Sequence, residues 1–198
     1  TQAIALSKIL RDNGHEIVHV FIGKNKRRQI PAYFNEQINA PTEPLPAPTF
    51  ILDKQNKALN ILKTIGYNLL RTNTYTQSLR CIHEKVKESN PDIIINFYDI
   101  LGGLYFLFFK TGKLKHVCIG RQFLTRHPDY PFEKNRIIEK YNFLLNNWVT
   151  SLHCDKYLAL SFRPYALNKI DNLTVVPPLL TIKKCTVSHE DFIFTYMF

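Results

Sequence analysis

His15, Glu16 and His19 stand in the stretch GHEIVHV at the spacing H-E-x-x-H. On a helix this pattern puts two imidazoles one turn apart, so that both reach one Zn²⁺ at roughly 2.0 to 2.1 Å while the glutamate activates a water. The chemistry would be metal-assisted hydrolysis, and it depends on the helix. The neighbours oppose one: Asn13-Gly14 is a helix-ending pair, and residues 17–22 (IVHVFI) are β-branched and aromatic. On a strand rising about 3.3 Å per residue the two histidines stand about 13 Å apart and cannot share an ion. Residues 15–22 therefore read as a buried strand, and Glu16 loses its catalytic role.

Other ionisable groups fall where strands end. Asp99 stands just beyond the Ile-rich run IIINF, and Arg121, Gln122, His127 and Asp129 lie in RQFLTRHPDYPF, directly after KHVCIG. A carboxylate or imidazole at such an end is suited to take a proton from an acceptor hydroxyl, and cations there suit a developing diphosphate charge. Simpler roles compete: Asp99 is well placed to cap a helix opening at Ile100, and His127-Pro128-Asp129 has turn composition. The cysteines, Cys81, Cys118, Cys154 and Cys185, are scattered without a C-x-x-C pair, and His153-Cys154-Asp155 lacks a partner at ligand spacing. No metal or other cofactor is expected, and the thiol pattern fits a reducing cytoplasm.

The elements that must position these groups alternate. Ala3, Leu6 and Leu10 recur at helical spacing before Gly14, giving a first helix over residues 1–13. After the strand at 15–22 comes a short helix near 29–34. The stretch 41–48 (PTEPLPAP) has four prolines and reads as an extended loop. Helical periodicity fills residues 54–89 with a break near 71–74. Strands follow at IIINF, KHVCIG, KYLALSF and LTVVPPLL, separated by an apolar helix from Ile100 and a second from Glu133 to Trp148, whose apolar positions are Ile137, Tyr141, Leu144 and Trp148. Strand–helix alternation predicts an α/β fold: a parallel sheet with right-handed crossovers and helices on both faces.

Composition bounds the rest. The 198 residues suffice for one substantial core, and 45% hydrophobic with 21% charged residues is neither disordered nor membrane-spanning composition. The apolar stretch at 100–109 is about half the roughly 20 residues a spanning helix needs; it reads as a buried helix or, beside Lys110, Lys113 and Lys115, as a peripheral membrane contact. A net charge of +10 points to anionic partners.

In this order, the chain resembles the N-terminal domain of GT-B fold glycosyltransferases, in particular the group that adds N-acetylglucosamine to lipid-linked muramoyl-pentapeptide (glycosyltransferase family 28-like). TQAIALSKILRDNGHEIVHVFIG looks like that family's first helix and second strand, NPDIIINFYDILGG like its PDVVIGFGGY strand and turn, and LTVVPPLL like its last N-domain strand. CIGRQFLTRHPDY sits where the family has a strand followed by HEQN; Gln122 matches the Gln, while the His and Glu are absent.

The resemblance implies a Rossmann-like half of a GT-B fold. Residues 1–185 would be the acceptor-side domain without the family's first strand and Gly-rich turn. Residues 186–198 would be a linker toward the first strand of a C-terminal nucleotide-sugar domain, approached through Pro177 and Pro178. It places Phe97, Tyr98, Arg121, Gln122 and Asp129 on the acceptor side of a cleft, with Asp99 and His127 as candidate catalytic bases. The implied partners are a nucleotide-sugar donor, held mainly by the second domain, and a lipid-linked or saccharide acceptor. Such a protein works in the cytoplasm, at most peripheral to the inner membrane face, and this half alone would be inactive. Two alternatives stand beside it: a nucleotide-sugar epimerase of the same fold, and a non-enzymatic nucleic-acid-binding α/β domain. The second would use the basic face and its aromatics, but no helix-turn-helix, RRM or zinc-finger signature is present.

Overall fold

The computed structural model describes residues 2–24, 30–49, 51, 61–109, 112–133, 135–165 and 172–179. The chain is α/β, with Rossmann-like strand–helix alternation and parallel sheets. Its helices are α1 (Gln2–Asp12), α2 (Ala32–Ile38), α3 (Ile61–Leu69), α4 (Thr72–Ser89), α5 (Ile100–Phe108) and α6 (Ile137–Thr150), with a 3-10 helix at Arg121–Arg126. Strands β1 (Val20–Lys24) and β2 (Thr42–Pro46) pair in parallel. Strands β3 (Ile93–Asn96), β4 (Lys115–Gly120), β5 (Lys156–Leu160) and β6 (Leu173–Val176) form a four-stranded parallel sheet in sequence order. The run DFIFTYMF and the expected linker at 186–198 lie outside the described residues.

Strand β1 starts at Val20, later than the sequence suggests, so His15 to His19 form an irregular approach to it rather than strand or helix. His15 and Glu16 are exposed. His19 turns inward instead, its Nε2 3.4 Å from Glu43 Oε2 on β2, and the Cys81 thiol of α4 donates to Glu43 Oε1 at 3.1 Å. Of the three motif residues only His19 takes part, beside Glu43 of β2 and Cys81 of α4.

Strand β2 corrects the loop expected at 41–48. Val20 N donates to Pro41 O, and Ala47 N to Lys24 O, at the two ends of the ladder. In a parallel pair one strand bonds its neighbour through alternate residues, so this register assigns the bonds to the odd-numbered residues of β2. Pro44 and Pro46 fall on the even positions, where no N–H is required, and the edge position tolerates them. Leu45 between them enters the core.

One core cluster joins Leu45 to Leu79 and Ile82 of α4 and to Leu101, Tyr105 and Phe106 of α5. Most of the apolar helix α5 is thereby buried, with Leu107 and Phe108 left outside. A second cluster joins Cys118, Tyr157, Ala159 and Leu173 of β4, β5 and β6 to Phe123 of the 3-10 helix. Phe123 is fully buried, and truncating such an aromatic costs about 3 to 5 kcal/mol.

Two helices are turned against their own amphipathicity. Ile137, Tyr141 and Trp148 of α6, expected to face the core, are 63%, 66% and 57% exposed, while Asn147 and Thr150 are buried. In α3, Leu62, Ile65 and Leu69 face out while Thr64 and Asn68 bond inward to Ile51 and Thr49. Hydrogen bonding explains the inversion in α6: its polar side is consumed by the ends of β3 and β4.

Candidate functional site at the carboxyl end of the four-stranded sheet

The register sets the geometry. Asn96 pairs with Cys118 at the end of the β3–β4 ladder, so residues 97–99 leave β3 at the edge where β4 ends at Gly120. Phe97, Tyr98 and Asp99 thus follow β3, and Arg121 and Gln122 follow β4, at the same edge of the sheet, with Tyr98 reaching Phe123 and, through Asn147, the Gln122 carbonyl.

Asn96 builds the turn. Its side-chain oxygen accepts from Asp99 N at 2.7 Å, and its amide donates to Asp99 O at 3.0 Å and to Thr150 O of α6 at 2.8 Å. Helix α5 comes this close to α6 only because Gly103 lacks a side chain; a Cβ there would collide with the Val149 carbonyl.

Within that turn Tyr98 adopts a left-handed backbone (φ 60°), unfavourable for a side chain by roughly 1 to 2 kcal/mol. Its surroundings fix it there. The phenol donates to Asn147 Oδ1 and accepts from Asn146 Nδ2 at 2.7 Å, and its ring meets Phe123 edge-on at 5.4 Å. Burial pushes the phenol above its ordinary range, with the Asn146 bond acting in the opposite direction. Asn147 also donates to Gln122 O at 3.0 Å and Thr125 Oγ1 at 2.7 Å. One amide on α6 therefore holds both the β3 turn and the 3-10 helix.

Asp99 caps α5, its Oδ1 accepting from Leu101 N at 2.8 Å. Desolvation raises the carboxyl above the usual aspartate range, and the Leu101 bond only partly offsets this. Its second oxygen lies against Gly23 at the end of β1.

Arg121 is exposed and Gln122 half-buried on the 3-10 helix, with Phe97 exposed beside them. His127 is placed differently. Its side chain is 0% exposed; Nδ1 accepts from Asp129 N at 3.0 Å, and its ring meets Tyr165 edge-on at 4.7 Å. With Nδ1 as acceptor, the ring proton sits on Nε2, which is buried without a hydrogen-bond partner. Asp129 itself is exposed. The structure thus gathers Phe97, Tyr98, Asp99, Arg121 and Gln122 at one edge, while His127 is packed beside Tyr165. Pro177 and Pro178 follow β6 directly, Pro177 exposed and Pro178 half-buried.

Sequence reasoning missed Asn96, Asn146 and Asn147. The available signal was the polar face Asn146-Asn147, Thr150-Ser151 on α6. A cleft of about 360 Å³ between α1 and α2, lined by Ile4, Lys8, Arg11, Asp12, Gln37 and Asn39, contains none of the predicted site residues. Among the described residues no three His, Cys, Asp or Glu side chains converge at metal-binding geometry.

Comparison with protein-family models, with curated proteins and with solved structures returns no match.

Proposed function

We propose that this chain is the acceptor-side half of a GT-B type glycosyltransferase, moving a sugar from a nucleotide-sugar donor to a saccharide or lipid-linked acceptor. The observation that carries the reading is that Phe97, Tyr98 and Asp99 follow β3, and Arg121 and Gln122 follow β4, at the same carboxyl edge of the parallel sheet. In open α/β sheets that edge is where ligands bind.

In this reading Asp99 is the general base. Its carboxyl is pushed upward from the ordinary aspartate range, the direction that makes a carboxylate a better proton acceptor near neutral pH. Oδ1 is held by the cap of α5 and Oδ2 lies against Gly23, so taking the acceptor's proton requires Oδ2 to be uncovered. Tyr98 positions the turn, Arg121 faces anionic groups, and Gln122 and Phe97 line the acceptor side. The test is acceptor-dependent release of nucleoside diphosphate by the full-length protein across a panel of nucleotide-sugars. Absence of release with every donor would remove the reading.

Among the described residues no helix is long and apolar enough to cross a membrane. Peripheral contact is the finer proposal. With most of α5 buried, what it offers to lipid is Leu107 and Phe108, supplemented by the basic charge of the chain. Flotation with anionic liposomes at low salt is expected and should weaken at high salt; no flotation at low salt would sink the idea.

A further inference from the structure

We infer that α6 carries the contact surface of a homodimer, in which two copies of the chain pack their α6 helices antiparallel about a two-fold axis level with residue 143. This holds whether or not the carboxyl edge transfers sugar.

The exposed apolar residues of α6 follow the spacing by which helices pair. Ile138, Tyr141, Leu145 and Trp148 are 72%, 66%, 56% and 57% exposed. Their separations of three, four and three residues draw one narrow seam along the helix. Asn147 and Thr150 lie buried on the opposite side, where Asn147 holds Gln122 and Thr125. The seam faces solvent because the other face is already bonded to the fold. A continuous apolar patch of this kind marks a contact surface.

The order of side chains selects the partner. Positions 138 and 148 are equidistant from residue 143, and so are 141 and 145. Two copies laid antiparallel therefore set Ile138 against the partner's Trp148 and Tyr141 against the partner's Leu145. Each layer then joins one aromatic to one aliphatic side chain, the large-with-small arrangement that interdigitates, and the antiparallel helix dipoles attract. A parallel pair would face tryptophan with tryptophan in one layer and isoleucine with isoleucine in another, crowding the first and leaving the second thin. The two-fold axis makes the seam its own complement.

Size and charge fit a second copy. With Ile137 at its margin, 63% exposed, the seam presents on the order of 600 Å² per copy, counting a fully covered aromatic at 150 to 250 Å². Pairing thus buries about 1,200 Å² in all, the lower end for a specific interface, which corresponds to a dissociation constant on the order of micromolar. The chain carries +10, so copies repel one another at most of their surface. Helix α6 contributes only Glu139 and Lys140, of opposite sign, and Arg136 before it is held by Glu133 at 3.0 Å. Lys140 Nζ lies over the Phe132 ring at 4.5 Å. The seam is a neutral strip on a basic protein, open to a second copy, whereas an anionic lipid surface calls for a basic rim.

Trp148 is the single tryptophan of the chain, so its fluorescence reads the seam. Sedimentation velocity of the full chain from about 1 to 100 μM is expected to show a reversible monomer–dimer equilibrium, with Trp148 emission moving to shorter wavelength as the dimer fills. Tyr141→Glu and Leu145→Lys each set charges against apolar side chains in the two central layers and weaken association about tenfold or more. An equimolar mixture of the two variants associates again, because each mixed pair places the new carboxylate opposite the new ammonium and keeps the other central layer native. Leu62→Lys, on the exposed face of α3, leaves the dimer as it is. The seam lies outside both core clusters, so the variants fold, and their urea curves taken below the dissociation constant match the wild type. A chain that is monomeric at every concentration, a dimer indifferent to both charges or lost equally in Leu62→Lys, or a mixture that fails to associate would overturn the inference. So would a Trp148 shift produced by lipid vesicles and not by protein concentration.

Discussion

The carboxylate of Asp99, past the end of β3, lies directly against Gly23, at the end of β1; a Cβ at Gly23 would overlap it. The contact ties the two-stranded sheet to the four-stranded one at their carboxyl ends. It also buries one oxygen of a group that must remain available if the edge is to do acid–base chemistry.

Asp99→Asn tests what that burial costs. Asparagine caps a helix about as well as aspartate, so the bond to Leu101 survives. The folded-state carboxyl is raised above its unfolded value, so in the window between the two the folded state binds more protons. Wild-type stability contributed by this group is therefore lost as pH rises from the ordinary aspartate range through the raised value. Relative to Asp99→Asn, the wild type should lose stability across that window and be no more stable at pH 7. Urea unfolding of both proteins from pH 3.5 to 7.5 reads this directly; a wild type that gains on the variant as pH rises would contradict it.

The inverted face of α6 makes a second prediction. Asn147→Leu supplies the apolar side chain expected at a buried helical position, yet strips partners from the Tyr98 phenol, Thr125 Oγ1 and Gln122 O. Stranding buried polar groups costs about 1 to 3 kcal/mol each, so a loss of roughly 2 to 4 kcal/mol is expected. Tyr141→Ser, on the exposed apolar face, should stay within about 0.5 kcal/mol. Chemical denaturation of the two variants distinguishes the orientations, and the reverse ranking would mean that Ile137, Tyr141 and Trp148 face the core.

What the sequence made legible follows from local rules. Asp99 after an Ile-rich strand and before an apolar helix announces both a strand end and a cap, and the structure contains both. The alternation of strands and helices was sufficient for the α/β class. Strand β2 escaped because a proline count ignores which prolines face the partner. In β2 they alternate with bonded residues, a relation visible only once the register with β1 is known. The orientation of α6 escaped for a related reason. Periodicity locates an apolar stripe but assumes it faces inward, whereas here the asparagine side satisfies a strained tyrosine turn. The resemblance makes His127 a candidate base in a cleft, whereas its ring packs inward.

We propose sugar transfer at the carboxyl edge of β3 and β4 with Asp99 as the base. The most direct measurement compares wild-type and Asp99→Asn full-length protein for acceptor-dependent nucleoside diphosphate release from the same nucleotide-sugar. The prediction is a fall in kcat of about 10² to 10⁴, with folding intact by the unfolding curves above. Equal rates for the two proteins would contradict the account.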